Sequence, residues 1–356
     1  KAKRLINIDS ETEGVLFASC AGGVRAACEI PVEYISCKEA FGKEAFAESG
    51  SSFEGEDFYT YKVSVSGLTG GHSGIEIHKH HANAIRLLAG ILSFINNKCT
   101  LYIADIVGGG KENAIPKEAS AVVCIKASDN EAFVDSIKEY ENIIKQDLSA
   151  TEPGVSIKAF LCENADCELC GSKDMAGISE RMNCVLTAES SKNVIFALNI
   201  TPDGVYRMNP DIEGMVQTSL NLGTAFINEE KLTYKYLIRS NNASGKKLIL
   251  DRVTDFVHFL DGKITTTSDY PAWEYRKDSE LREVMIQSFK NVYGYEPEVT
   301  SVHAGLECGI LSGKMPYIDM VSFGPTLVDV HTPDECMDIA SAQRSWRFLL
   351  EVLKNM

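Results

Sequence analysis

Arg4-Leu5-Ile6-Asn7-Ile8-Asp9 reads as a buried strand that runs into a carboxylate. Elements of the same style return only near the end of the chain. Ser279 to Tyr293 has helical spacing, Glu298 to Val302 and Met320 to Phe323 are short strands, and Ile339 to Leu353 is a closing amphipathic helix. Strand and helix alternate in these two stretches as they do in an α/β domain.

Between them the pattern changes. A polar, glycine-rich stretch passes through Gly14 to an expected turn at Ala21-Gly22-Gly23. Tyr59 to Ser66 alternates with period two, the mark of a half-exposed strand. Gly67 to Gly74 leads into a helical pattern over His81 to Leu92, and strands are expected over Cys99 to Val107 and Ala119 to Ala127, with a turn near Gly108-Gly109-Gly110 and Pro116. A comparable order follows later: a helix or buried segment over Met182 to Leu198, strands over Gly214 to Ile227 and Leu232 to Arg239, and a helix over Leu248 to Leu260. One domain interrupted by an inserted α+β domain is the economical account, with boundaries at 1–23, 24–270 and 271–356. The residues barely repeat, so the insert is either one unit or two related ones.

The 356 residues suit two domains. A net charge of −15 argues against nucleic acid or an anionic membrane as the main partner. No run approaches the roughly 18 apolar residues of a membrane span, and the basic start Lys1-Ala2-Lys3-Arg4 lacks the apolar stretch of a signal peptide. Eleven cysteines, an odd number without secretory features, fit reduced thiols in a cytoplasmic protein.

Several residues can carry chemistry, each with a plainer alternative. Asp9 at a strand end is a hard ligand for zinc or a turn and capping residue. His331, on a Pro-bracketed loop beside Asp329, Asp334 and Glu335, is a metal ligand or a surface histidine. His72, framed by Gly70, Gly71, Ser73 and Gly74, can donate to a developing oxyanion or merely occupy a glycine-rich turn. Arg239 offers a planar fork for a substrate carboxylate, or is a surface residue on an edge strand. Asn113 can bind the same ligand or cap a turn. Glu307, in His303-Ala304-Gly305-Leu306-Glu307-Cys308-Gly309, can orient substrate or a neighbouring ligand, or pair with a local base. His78, His80 and His81 sit at a helix start and are expected to face solvent, and Cys162, Cys167, Cys170 and Cys184 offer a rival structural zinc site with irregular spacing.

Four strings, in order and widely spaced, resemble the aminoacyl-histidine (Xaa-His) dipeptidase family of two-zinc metallopeptidases, relatives of the carnosinases. They are Asn7 to Glu11 with Cys20 to Gly23, Val65 to Gly74, His303 to Gly309, and Gly324-Pro325-Thr326 through His331 to Glu335. The resemblance implies an α/β zinc-peptidase catalytic domain with an inserted α+β lid. It implies zinc-dependent hydrolysis of dipeptides by a metal-bridged water, with two zincs per intact site. Other divalent metals are an alternative. By the same resemblance Asp9 and His331 would each bind a zinc, His72 would stabilise the tetrahedral intermediate, and Arg239 would hold the substrate carboxylate. Asn113 and Glu307 would also bind substrate. The family's remaining ligands, in a His-x-Asp string, a bridging Asp and a Glu-Glu pair, precede the Asp9 strand, so the chain alone is expected to be inactive. The alternatives are a non-catalytic peptide-binding fragment or homologue, and a related zinc deacylase or tripeptidase. The sequence leaves open whether the lid pairs two copies into a homodimer.

Overall fold

The structure, a computed structural model, describes residues 2–41, 58–162, 184–228, 230–330 and 332–356. Its first half contains β1 (Arg4–Asn7), β2 (Val15–Cys20), β3 (Gly22–Pro31), β4 (Tyr34–Ser36), α1 (Cys37–Phe41), β5 (Phe58–Ser66), β6 (Gly71–His72), α2 (Ala84–Asn96), β7 (Leu101–Gly109), β8 (Ala114–Ile115), β9 (Ala119–Lys126), α3 (Asn130–Asp147) and β10 (Ser156–Leu161). Then come β11 (Cys184–Leu186), α4 (Ala188–Ile200), β12 (Gly204–Met208), β13 (Val216–Asn228), β14 (Lys231–Ser240), α5 (Ala243–Phe259) and β15 (Lys263–Tyr270). The last are α6 (Glu280–Tyr293), β16 (Glu298–Val302), α7 (Glu307–Lys314), β17 (Asp319–Ser322), β18 (Leu327–Val328), β19 (Cys336–Met337) and α8 (Ile339–Asn355).

The first strand and the tail form one layer. β1 runs parallel to β17 and β16 parallel to β2, in the order β1-β17-β2-β16. The α6 helix is anchored where Asp319 accepts from the Ser279 hydroxyl at 2.6 Å and from the Leu281 amide at 2.9 Å, joining its N-terminus to β17. Leu281, Met285, Phe289, Phe348 and Val352 pack against Leu16 and Val321, while Cys20, Trp273, Cys308 and Met320 make a second cluster. Burial of alternate residues, Met320 in one cluster and Val321 in the other, shows that both faces of the sheet are covered.

The larger sheet has the order β10-β5-β9-β7-β13-β14-β3-β15, with β12 on β13. It consists of two copies of one arrangement. In each, β-α-β-β-α-β places the first strand between the third and the fourth: β5-α2-β7-β9-α3-β10 and β3-α4-β13-β14-α5-β15. The second strands of both units meet, with Thr224 opposite Gly109 and Phe226 opposite Val107. The first unit is inserted after the first strand of the second. One apolar cluster runs through both, from Leu88, Leu92 and Phe133 to Leu198, Leu220 and Val253. The two-unit alternative therefore holds. Among the described residues, no helix is long and apolar enough to cross a membrane.

Three local expectations are corrected. Ala21-Gly22-Gly23 is not a turn: the chain passes from β2 in the small sheet into β3 in the large one. The glycines are needed for close approach, since a Cβ on Gly22 would lie 2.5 Å from the Ala272 nitrogen and one on Gly23 2.5 Å from the Tyr270 hydroxyl. The α5 helix starts at Ala243, before the apolar repeat, because Asn242 caps it by accepting from the Gly245 amide at 2.7 Å. And β14 is no edge strand: it lies between β13 and β3 and is buried on both faces.

Candidate active site

The glycines after β5 let the chain turn back so that Gly71 and His72 pair with Ile115 and Ala114 of β8. Downstream, His72 Nδ1 accepts from the amides of Gly74 and Ile75, both at 3.1 Å. With that lone pair engaged, the ring proton of the neutral imidazole belongs on Nε2. Burial, then the nearby Arg239 cation, lowers the His72 pKa, which keeps the ring neutral near pH 7. The His72 amide donates to Glu76 at 2.8 Å, and Lys79 and that amide hold the Glu76 carboxyl down to about 2. The loop is thus fixed at both the ring and the backbone.

Asn113 stands beside this turn. Its carbonyl accepts from the Ser73 amide at 3.0 Å, and Asn221 holds the flanking carbonyls of Glu112 and Ala114, each at 2.9 Å. Its side-chain amide makes no hydrogen bond among the described residues. A cavity of about 890 Å³ opens here, lined in part by Thr69, His72, Glu76, Asn113 and Lys117.

Arg239 comes from the opposite unit and is 6% exposed. It donates to the Tyr270 hydroxyl at 3.1 Å, while its buried Nε has no partner. Burial lowers its pKa without approaching neutrality. Around Gly74 these groups converge: a Cβ there would lie 2.6 Å from the His303 carbonyl, 3.1 Å from Arg239 Nε and 3.1 Å from His72 Cε1. Only a residue without a side chain lets the three approach.

His303 is the residue that sequence reasoning passed over. It lies within the quoted His303 to Gly309 string, directly after β16, but nothing local announces its burial. It is 5% exposed, with Nε2 2.8 Å from the Ser219 hydroxyl and Nδ1 3.0 Å from Asn241 Oδ1. Burial, then Arg239, pushes its pKa down to about 3.

Asp9 and Glu307 lie apart from this group. Asp9 is exposed two residues past β1, its amide held by Asn7 Oδ1 at 3.0 Å. Glu307 opens α7 and accepts weakly from Asn7 Nδ2 at 3.4 Å, so its local partner is an amide and not a base. His331 lies outside the described residues, as do Cys167 and Cys170. Of the other histidines, His78 and His80 are exposed, and His81 is half-buried 3.4 Å from Glu152. Among the described residues no group of three or more His, Cys, Asp or Glu is arranged to hold a metal. Asp9 has the right donor chemistry for a hard divalent cation and makes no ion pair or side-chain hydrogen bond among those residues, but by itself it does not make a site.

Residues 63–152 match the family model of a peptidase dimerisation domain. The whole chain is 31% identical to the cytosol non-specific dipeptidase of Escherichia coli (strain K12), covering 66% of it. It also superimposes on the crystal structure of aminoacylhistidine dipeptidase from Vibrio alginolyticus with a TM-score of 0.85, at 29% identity, over all of this chain and 66% of that one. Over its whole length the chain is therefore similar to these two dipeptidases. It spans a little under two thirds of the length of these relatives. That superposition bears out the fold the four strings implied, an α/β domain with an inserted α+β lid.

Proposed function

We propose that this chain is the lid and C-terminal catalytic part of a metal-dependent dipeptidase acting on short substrates with a free carboxylate, of the Xaa-His type. The observation that carries this reading is the meeting, around Gly74, of a nearly buried Arg239 with an unpartnered Nε and a neutral His72 with Nε2–H available. Arg239 would hold the terminal carboxylate by charge-assisted hydrogen bonds. His72 would donate to the oxygen on which charge develops at the scissile carbonyl, and Asn113 would add a hydrogen bond from the same turn. A cation fixed that close to the oxyanion donor leaves room for one residue beyond the scissile bond, so a single C-terminal residue is the expected leaving group. Asp9 and His331 would each contribute a ligand to a pair of zinc ions, with Glu307 on the substrate-side loop. A bound divalent cation supplies Lewis acidity. The boundaries 1–23, 24–270 and 271–356 remain the preferred division, with strand pairing changing sheets between Cys20 and Gly22 and after Tyr270. The dimerisation-domain match supports a lid that also joins two copies, and the cytosolic relative supports residence in the cytoplasm.

The test is the comparison of a dipeptide with its C-terminal amide in the full-length protein. Arg239→Ala is expected to raise KM for the dipeptide by about 10–100-fold, the worth of a charge-assisted pair, and to leave the amide nearly unaffected. Equal effects on both substrates would remove Arg239 from the carboxylate site.

A further inference from the structure

We propose that His303 is a positioning residue for the carboxylate site: its doubly hydrogen-bonded imidazole pins the two strand segments that flank Arg239 and so sets where the guanidinium points. Ser219 is the residue opposite Arg239 in the β13–β14 ladder, and Asn241 lies two residues beyond Arg239. His303 ties them together through one ring, with Nδ1–H donating to Asn241 Oδ1 and Nε2 accepting from the Ser219 hydroxyl. Asn241 then spends its amide on Ser19 Oγ at 3.2 Å and on Ser301 Oγ, and Ser301 donates to the Ser19 carbonyl at 3.2 Å. The network therefore joins the lid strands to β2 and β16 of the small sheet. The His303 carbonyl faces Gly74 beside His72, so one residue touches the settings of both groups.

The chemistry of the position explains why an imidazole suits it. The ring offers one donor and one acceptor on opposite edges of a rigid plane, matching an amide oxygen on one side and a hydroxyl on the other. It does so without adding a charge next to Arg239, because burial keeps it neutral. A lysine or arginine there would repel the guanidinium, and a carboxylate would pair with it and take the place of substrate.

This inference rests on Arg239 being the carboxylate clamp, so the experiment carries Arg239→Lys beside His303→Gln, His303→Ala and the milder Ser219→Ala, all in full-length metal-loaded protein. Steady-state kinetics are measured on a dipeptide and on its C-terminal amide. His303→Ala should raise KM for the dipeptide by about tenfold, as for one misaligned charge-assisted bond, with kcat changed less than about threefold and the amide's KM unmoved. Ser219→Ala should move the same parameter by a smaller factor, and His303→Gln, which keeps a polar group toward Ser219, should recover part of the loss. If Arg239→Lys alters the dipeptide-to-amide preference while His303→Ala and Ser219→Ala do not, His303 has no positioning role. If Arg239→Lys leaves that preference unchanged, the clamp itself is wrong. Loss of folding in His303→Ala leaves Ser219→Ala to decide.

Discussion

His72 draws its proposed role from how its other nitrogen is spent. Two backbone amides donate to Nδ1, so the ring presents N–H on the free side and does not need to be charged to act as a donor. Neutrality has a further advantage: an imidazolium would compete with Arg239 for the substrate carboxylate. Substituting His72→Ala should lower kcat by about 10²–10³, the usual cost of an oxyanion donor, with KM changed by only a few-fold. Steady-state kinetics on a dipeptide check this, and a loss appearing in KM alone would assign the ring to ground-state binding. Nitrogen-15 spectra of the imidazole near neutral pH should show the Nε2–H tautomer. His72 and Arg239 were singled out as candidates in the sequence, where glycine framing and strand position mark them locally. His303 was not, because what gives it meaning is a set of hydroxyls and amides at positions 19, 219, 241 and 301, brought together only by the fold.

The elements show where pattern reading works and where it stops. β5 keeps one face in the core and the other in partial contact with solvent, so its period-two alternation was visible. β14 is buried on both faces, with α5 packed against it, so its sequence gives no sign that Arg239 is interior. The helices α6 and α8 were recognisable within a residue or two from their apolar spacing, whereas α5 declares itself first through its cap. The loop that carries His72 has a support that no periodicity reveals. Glu152, fully buried, accepts from the Thr69 amide at 2.6 Å and the Ala82 amide at 2.9 Å, clamping both ends of the loop with one carboxylate. In Glu152→Gln an amide NH2 must face one of those N–H donors, leaving it unsatisfied at a cost of roughly 1–3 kcal/mol. The variant should unfold at lower denaturant concentration, exchange amide hydrogens faster over residues 69–82, and lose kcat more than it raises KM. Unchanged exchange in that loop would show that the clamp is not what holds it.

At the scale of the molecule, the two units of the lid share strand order and not sequence, which is why repetition was left open until the topology was seen. Their junction is narrow in the sheet, and side chains reinforce it. Arg86 on α2 donates to the carbonyls of Leu198 at 2.8 Å and Thr201 at 2.9 Å, closing the C-terminus of α4. Asn83, the cap of α2, donates to the Leu222 carbonyl at 2.9 Å and to Asp203 at 3.3 Å, and Asp203 accepts from the Leu222 amide at 2.6 Å. Burial pushes the Asp203 carboxyl up to about 6, against the lowering effect of the Leu222 amide and Arg86. The sign follows from linkage. A carboxyl whose folded pKa lies above its unfolded value of 3.8 binds more protons in the folded state between the two values. Its contribution to stability is therefore greatest below about pH 4, falls as the pH rises to about 6, and is constant above that. Lowered carboxyls such as Glu13 and Glu76 act in the opposite direction, so the total curve does not isolate it. The difference between wild type and Asp203→Asn does, because the amide keeps an acceptor for Leu222 and cannot ionise. Denaturant midpoints at pH 4, 5, 6 and 7 should show wild type losing stability relative to the variant across that range, and a flat difference would place the Asp203 pKa near its ordinary value.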